Sequence, residues 1–423
     1  MTQSSVTSSS VKPSSVKQSS VMPHPVDRSH PRRRITVLGA TGSIGTQAAD
    51  VLSRYPDTAR VHTLAATGTR PQQLAEQICS LRPERVALSD ETRVDAVQRA
   101  LAECAPGVAQ PQFTAGPDAV IAAAGDLGEG DVVLNAMTGS VGLAPSLAAL
   151  ESGARLALAN KETLVAGGSL VTRAAAPGQL LPVDSEHTAI AECLAGIRPD
   201  HVRRLVVTAS GGPFRGRTRD ELTEVTPQQA LAHPTWEMGR VITTNSATLV
   251  NKALEVIEAC WLFNLPEERV EVVVHPQSIV HSMVTAVDGS TIAQASPPDM
   301  RLAIGWALAY PDRLDHLAAA LDFSQAQQWT FEPLDEDTFP AVRIARRAFR
   351  DGGTRMAQYN AANEELVDAF HEGRIGFLDI VDLLEAVITD PASPASAPRS
   401  VQDVQDAEQW ARARAHQLIG QRG

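Results

Sequence analysis

No apolar run in this chain reaches the 18 or so residues that a bilayer-spanning helix needs, so the sequence holds no candidate transmembrane helix. Cysteine is nearly as scarce. The four present, Cys79, Cys104, Cys193 and Cys260, show neither Cys-x-x-Cys nor a Cys/His ligand spacing, which excludes a zinc cluster and a disulfide framework. They read as buried thiols in a reducing compartment, hence a cytoplasmic protein. Basic charge is in deficit, with 37 Lys and Arg against 49 Asp and Glu, a net of -12. That balance argues against a nucleic-acid or anionic-membrane partner and leaves a small-molecule substrate. Aromatics make up 4% of the chain. None of Tyr55, Tyr310 and Tyr359 is followed four residues later by lysine, which excludes a Tyr-x-x-x-Lys dehydrogenase. Residues 1–33 are Ser-rich, nearly free of acids and without an apolar signal core, so they read as a disordered tail outside the fold. Organellar transit by that tail is a minor alternative.

What is present is a chain of 423 residues, 43% of them hydrophobic, enough for two or three domains. Ile35-Thr36-Val37-Leu38 reads as a buried strand running into Gly39-Ala40-Thr41-Gly42-Ser43-Ile44-Gly45 and then a helix. Glycines let backbone N–H groups approach a pyrophosphate, and the helix N-terminus supplies positive potential, so the stretch predicts a dinucleotide loop. The next strand ends at Thr67-Gly68-Thr69-Arg70 with no carboxylate for ribose hydroxyls, which favours NADP over NAD. Further alternation of strands and helices predicts an α/β, doubly wound parallel sheet whose ligands sit at the carboxyl ends of strands. Asn160-Lys161-Glu162 lies at such an end.

Leu180-Leu181-Pro182-Val183 then leads into Asp184-Ser185-Glu186-His187. On an extended segment residues i and i+2 share a face, so Asp184 and Glu186 are expected to converge on one hard divalent cation. Ser210-Gly211-Gly212-Pro213-Phe214 reads as either an anion cradle or a hinge. The polar, Pro/Gly-broken stretch from Arg215 to Gly239 presents Trp236 and Met238 and reads as a closing flap. One helix is expected from Ser246 through Phe263, with Asn251 and Glu255 as i, i+4 neighbours. Ser246, Asn251 and Lys252 suit a phosphate monoester, and Glu255 offers a third carboxylate. His275 and His281 read as structural or interfacial rather than as ligands. Strands follow, then an irregular connection over 311–337 and helices to the end, the last one capped by Ser400.

This ordered series of motifs resembles the 1-deoxy-D-xylulose 5-phosphate reductoisomerase family. The resemblance implies rearrangement of that sugar phosphate and NADPH-dependent reduction to 2-C-methyl-D-erythritol 4-phosphate in the non-mevalonate isoprenoid route. It also implies a homodimer and three domains. These are a Rossmann-like NADP-binding domain over 34–183 and a central α+β catalytic, metal and dimerisation domain with a flap over 184–310. A linker over 311–337 then joins a C-terminal helical bundle over 338–423. Asp184, Glu186 and Glu255 match the family's Mg²⁺ or Mn²⁺ ligands. Lys161, Ser185, Glu186, Ser210, His233, Ser246, Asn251, Lys252 and Glu255 match substrate contacts. Lys161, Glu186, His233 and Trp236 are the expected catalytic set. Thr41, Gly42, Ser43, Ile44, Asn160, Glu162 and Gly239 match cofactor contacts, with Thr67, Gly68 and Thr69 at the adenosine end. There the chain departs from the Gly-Lys-Asn triplet of many members. The alternatives are an NADP-dependent dehydrogenase of another phosphorylated aldehyde or ketose, and a non-catalytic NADP(H) sensor.

Overall fold

The computed structural model describes residues 33–422 apart from 105, 106, 108, 109, 235, 237, 238 and 395. The expected disordered tail therefore lies outside the described residues except for its last member. Arg33 opens the first strand and donates hydrogen bonds to the Leu308 and Tyr310 carbonyls, both 3.0 Å, so it belongs to the fold.

Seven short segments form the first sheet: β1 (Arg33–Leu38), β2 (Ala59–Ala66), β3 (Arg85–Leu88), β4 (Gln112–Ala115), β5 (Val132–Asn135), β6 (Arg155–Leu158) and β7 (Leu180–Pro182). All pair in parallel in the order β4-β3-β2-β1-β5-β6-β7. The central strands are buried along most of their length because helices cover both faces. Those helices are α1 (Ser43–Arg54), α2 (Pro71–Leu81), α3 (Val94–Cys104), α4 (Pro117–Gly125), α5 (Leu143–Glu151), α6 (Lys161–Gly167) and α7 (Ser169–Ala174). Strand order reverses between β1 and β5, and the crevice at such a point is where open α/β sheets bind ligands.

The chain leaves this sheet through α8 (Ser185–Leu194) and builds a second one from β8 (Val202–Ala209). After α9 (Pro227–Ala230), α10 (Arg240–Ala247) and α11 (Val250–Phe263) come β9 (Val270–Val274), β10 (Val280–Ala286) and β11 (Thr291–Ala295). Next are α12 (Met300–Ala309) and β12 (Glu332–Pro333), and the second sheet has the order β11-β10-β8-β9-β12. Helices α13 (Ala341–Asp351), α14 (Arg355–His371), α15 (Phe377–Ile388) and α16 (Val401–Gly420) complete the chain, with Ser400 capping α16 as expected. Among the described residues no helix is long and apolar enough to cross a membrane.

Three expectations are corrected. The single helix from Ser246 to Phe263 is two. Leu249 takes a left-handed φ of 60°, and the Thr248 hydroxyl bonds the Thr244 and Asn245 carbonyls, competing with the helical ladder. Helix α12 was not expected, and it packs on both α1 and α8. Only Cys193 and Cys260 are buried, whereas Cys79 is half-buried and Cys104 exposed.

The glycine turn after β1 is sterically closed. Gly39 has φ +80°, and an added Cβ would lie 2.5 Å from the Ala136 carbonyl oxygen. A Cβ on Gly45 would meet the Gly39 and Ala40 carbonyl oxygens. Side chains of α2 brace the same turn. Arg70 donates to the Thr41 carbonyl (2.9 Å), Gln73 to the Thr46 hydroxyl (2.8 Å) and Gln77 to the Ala40 carbonyl (2.8 Å). Gly45→Ala is therefore expected to destabilise the protein by about 1–3 kcal/mol through backbone displacement. Gly128→Ala, where the nearest atom is 3.9 Å away, should be silent. Chemical denaturation of the two variants checks this, and equal behaviour would refute the close approach.

Candidate active site

Three helix N-termini and two strand ends converge on one cleft of about 710 Å³. Helix α6 brings Lys161 in its first turn, α8 brings Asp184, Ser185 and Glu186, and α11 brings Asn251, Lys252 and Glu255. Ser246 enters from the end of α10, and Ser210 follows β8. All of these line the cleft, together with Ser43, Ile44, His233, Trp236 and Gly239.

The convergence of Asp184 and Glu186 has a different cause from the one expected. Strand β7 ends at Pro182, Asp184 is the N-cap of α8 and Glu186 lies in its first turn. The two carboxylates meet at a helix N-terminus, whose unpaired N–H groups favour negative charge. Asp184 makes no side-chain cap bond, because its carboxylate faces the Lys161 ammonium at 2.7 Å.

Helix α11 is buried almost all round, so Lys252 (4% exposed) and Glu255 (1%) cannot reach bulk water. Buried ions must be paired. Lys161 Nζ lies 3.1 Å from Glu255 Oε1 and 2.9 Å from Asn251 Oδ1, while Lys252 Nζ lies 2.7 Å from Glu186 Oε1 and also bonds Glu255. The amide of Asn251 donates to Glu255, and the Ser185 hydroxyl to Glu186 at 2.6 Å.

Charge settles unequally across this cluster. Burial alone would lower the Lys161 ammonium, but the Asp184 and Glu255 carboxylates hold it well above its ordinary value. Burial opposes ionisation of Glu186, yet the Lys252 charge outweighs it and the carboxyl falls well below the usual range. Burial and the Glu186 charge push the Glu255 carboxyl up to about 7.

One oxygen each of Asp184, Glu186 and Glu255 lies within 4.8 Å of the others. This all-oxygen donor set suits Mg²⁺ or Mn²⁺, and the two lysines now occupy the place of its positive charge. A second carboxylate-imidazole group, Asp184, His187 and Glu258, adjoins it. His187 Nε2 donates to the Glu255 carbonyl at 2.9 Å, which ties α8 to α11 behind the triad.

His233 is held by its own loop. The Trp236 backbone N–H donates to Nδ1 at 2.9 Å, so the neutral ring carries its proton on Nε2, 3.1 Å from the Ser210 hydroxyl. Burial lowers the imidazole pKa, which keeps this neutral donor form at neutral pH. Trp236 is half-buried at the cleft, while Met238 lies outside the described residues.

The expected cofactor residues divide into two groups. Ser43 and Ile44 line the cleft. Thr41 and Gly42 belong to the glycine turn and Thr67, Gly68 and Thr69 follow β2, and none of these five lines the cleft. Asn160 is buried, and its side chain is spent inside the protein. It accepts from Thr163 N (2.9 Å) and donates to the Met137 (2.8 Å) and Gly139 (2.9 Å) carbonyls and to Glu162 (3.1 Å). Asn160 therefore fixes the loop after β5 at the strand-order reversal, and burial raises the Glu162 carboxyl beside it.

The sequence reading missed the opposite wall of the cleft, made by Asp50, Ser278, His281, Asp299, Met300 and Arg301. Asp299 caps α12 through Arg301 N at 2.9 Å and also grips the Arg301 guanidinium at 2.6 Å. Pro297-Pro298-Asp299 before an apolar run was a legible helix start.

The triad yields a pH prediction. Glu255 takes up a proton as pH falls through about 7, and a proton there competes with a cation. Mn²⁺ affinity measured by calorimetry should weaken roughly tenfold from pH 8 to pH 6. Glu255→Gln should bind poorly at both values. An affinity in the unsubstituted protein that does not change with pH would remove Glu255 from the ligand set.

Comparison with known proteins places this arrangement. The model of 1-deoxy-D-xylulose 5-phosphate reductoisomerase matches residues 35–168, that of its C-terminal domain residues 180–263, and that of the DXP reductoisomerase C-terminal domain residues 295–414. The 1-deoxy-D-xylulose 5-phosphate reductoisomerase of Arthrobacter sp. (strain FB24) is 56% identical over 394 residues, 92% of this chain and 98% of the relative. That of Nocardia farcinica is 55% identical over 387 residues, covering 92% and 95%. The solved Zymomonas mobilis reductoisomerase in complex with NADPH superposes with TM-score 0.84 at 41% identity, over 92% of this chain and 99% of that one. A DOX-P reductoisomerase in complex with NADPH, fosmidomycin and magnesium gives TM-score 0.84 at 32% identity, over 92% and 98%. The chain belongs to the 1-deoxy-D-xylulose 5-phosphate reductoisomerase family.

Proposed function

We propose that this protein converts 1-deoxy-D-xylulose 5-phosphate to 2-C-methyl-D-erythritol 4-phosphate, using NADPH and Mg²⁺ or Mn²⁺. The observation that carries this reading is the converging triad Asp184, Glu186 and Glu255, half-buried at the first two and buried at the third, balanced by Lys161 and Lys252, beside a closed glycine turn. A non-catalytic NADP(H) sensor has no use for three converging carboxylates. The donor set fits a hard divalent ion, and the turn with no room for a Cβ fits a pyrophosphate.

Asp184, Glu186 and Glu255 hold the ion, which when bound supplies Lewis-acid polarisation of the substrate's carbonyl and neighbouring hydroxyl oxygens. With a cation held by the carboxylates, Lys161 and Lys252 would no longer be needed as their counter-ions. Lys161 is then free to donate to a substrate hydroxyl and Lys252 to the phosphate. Ser185, Ser210, Ser246 and Asn251 complete the polar wall, and remote binding at the phosphate orients the reacting carbons. His233 donates from Nε2. Trp236 closes over the substrate and keeps water from the intermediate. NADPH supplies the hydride. Thr41, Gly42, Ser43, Ile44 and Gly239 bind the cofactor directly, with Asn160 and Glu162 shaping the loop beneath it.

The domain division at 183/184 and 310–338, a homodimer and a cytoplasmic location complete the reading. The dimer is supported by the open edge strand β11, which exposes Ile292 at 42%. Light scattering of the purified protein tests it.

Incubation of the protein with deoxyxylulose phosphate, NADPH and Mg²⁺, followed by product identification, tests the function. Methylerythritol phosphate is expected. A reduced but unrearranged sugar phosphate would point instead to a simple dehydrogenase. Arg70→Ala should weaken NADPH binding about tenfold more than NADH binding, if a charge-assisted contact to the 2′-phosphate is lost. Equal losses for the two cofactors would reduce Arg70 to the brace on Thr41 seen above.

A further inference from the structure

Cys79 and Cys104 take no part in the cleft. Cys79 lies in the last turn of α2, and Cys104 is the last residue of α3, the helix beside it. The Cys79 thiol donates to Cys104 Sγ across 3.2 Å. Two sulfurs this close, on helices anchored to one sheet, need little movement to reach the about 2.05 Å of a disulfide. We propose that Cys79 and Cys104 are an oxidant-modification site, closing a reversible disulfide across the outer edge of the cofactor domain when the protein meets a hydroperoxide.

The exposure of the two residues sets the order of events. Cys104 is open to solvent and meets the oxidant first. Its thiolate sulfur attacks the peroxide oxygen, the O–O bond breaks, and Cys104 becomes a sulfenic acid while the peroxide leaves as an alcohol or water. Burial and the neighbouring Cys104 and Glu76 push the Cys79 thiol up to about 11, so it stays protonated and is not the first to meet the oxidant; its place 3.2 Å from Cys104 Sγ gives it the second role. Cys79 releases its proton, its sulfur attacks Cys104 Sγ, the S–OH bond breaks, and hydroxide leaves with that proton as water. Two thiols have lost two electrons, and one peroxide has gained them. A small thiol reverses the step by exchange. Cys193 and Cys260 are each 4% exposed, so the peroxide does not reach them and they take no part.

The bond would tie down a helix that matters to the cleft without entering it. Arg70, at the start of α2, together with Gln73 and Gln77, braces the glycine turn; Cys79 lies about 13 Å along the helix from Arg70 and about 3 Å from Gln77 at 1.5 Å per residue, and the short closure from 3.2 Å leaves α2 in place. Cofactor affinity should therefore change less than about twofold on oxidation. The melting temperature should rise by a few degrees, because the closed loop restricts the unfolded chain.

The test uses the full-length protein treated with a slight excess of hydrogen peroxide, alkylated under denaturing conditions and mapped without reduction. The expected result is one intrachain link between Cys79 and Cys104, reversed by dithiothreitol, with Cys193 and Cys260 still alkylated. Cys104→Ser should abolish the link. Cys79→Ser should leave a sulfenic acid on Cys104 that dimedone traps. Unreacted thiols, a bond between two chains, or Cys104 oxidised to a sulfonic acid while Cys79 stays free would each overturn the proposal.

Discussion

The structure depends on a charge balance held at the floor of a cleft and largely shielded from water. Three carboxylates and two ammonium groups share one pocket, and none of them can be removed cheaply. Deleting one partner of a buried pair costs about 3–5 kcal/mol, because the other is left uncompensated. Glu255 and Lys252 sit on a helix buried on nearly every side, so the cluster can exist only if α6, α8 and α11 meet in one register. The site retains a net negative charge, and the Glu255 carboxyl raised to about 7 is its local sign. A divalent cation is the ligand that resolves that excess.

Everything around the cluster maintains this register. The larger core runs from the first sheet through α11 into the C-terminal helices, so those helices are part of the site's foundation although none supplies a residue to the cleft. Helix α14 packs against α6, which carries Lys161, and Asn363 on α14 donates to Asn245 on α10 at 2.9 Å. On the other side α12 lies on α1 and α8, so the helix after the glycine turn and the helix bearing Asp184 and Glu186 share a neighbour. The cofactor loop and the carboxylates are thus joined by packing as well as by the chain.

Two local devices serve the site at the expense of regular structure. Leu249 in a left-handed conformation divides what would be one helix, so that Ser246 and Asn251 both open onto the cleft. Asp184 holds an N-cap position without capping, its carboxylate turned to Lys161. Each breaks a local rule where function needs it, as expected at a working site.

Much of this was legible in the sequence. The apolar runs before Gly39 and before Asp184 fix strands, because a segment apolar throughout must be covered on both faces. The glycines of the turn mark backbone with no room for a side chain, and the missing acid after β2 bears on the cofactor. The order of the motifs carried the family. Periodicity could not tell an extended Asp184-Ser185-Glu186 from a helix start, because the Asp184 carboxylate turns to Lys161, nor see the break at Leu249, where the Thr248 hydroxyl competes locally with the helical ladder. Helix α12 and its Asp299 cap were legible from Pro297-Pro298-Asp299, but not that Asp299 and Arg301 form a wall of the cleft. Pairings such as Lys161 with Glu255, 94 residues apart, and Lys252 with Glu186, 66 apart, belong to the tertiary structure alone. Sequence pattern encodes the face a residue presents over a few turns, whereas which faces meet, and hence which charges share a pocket, is decided by the packing of whole helices.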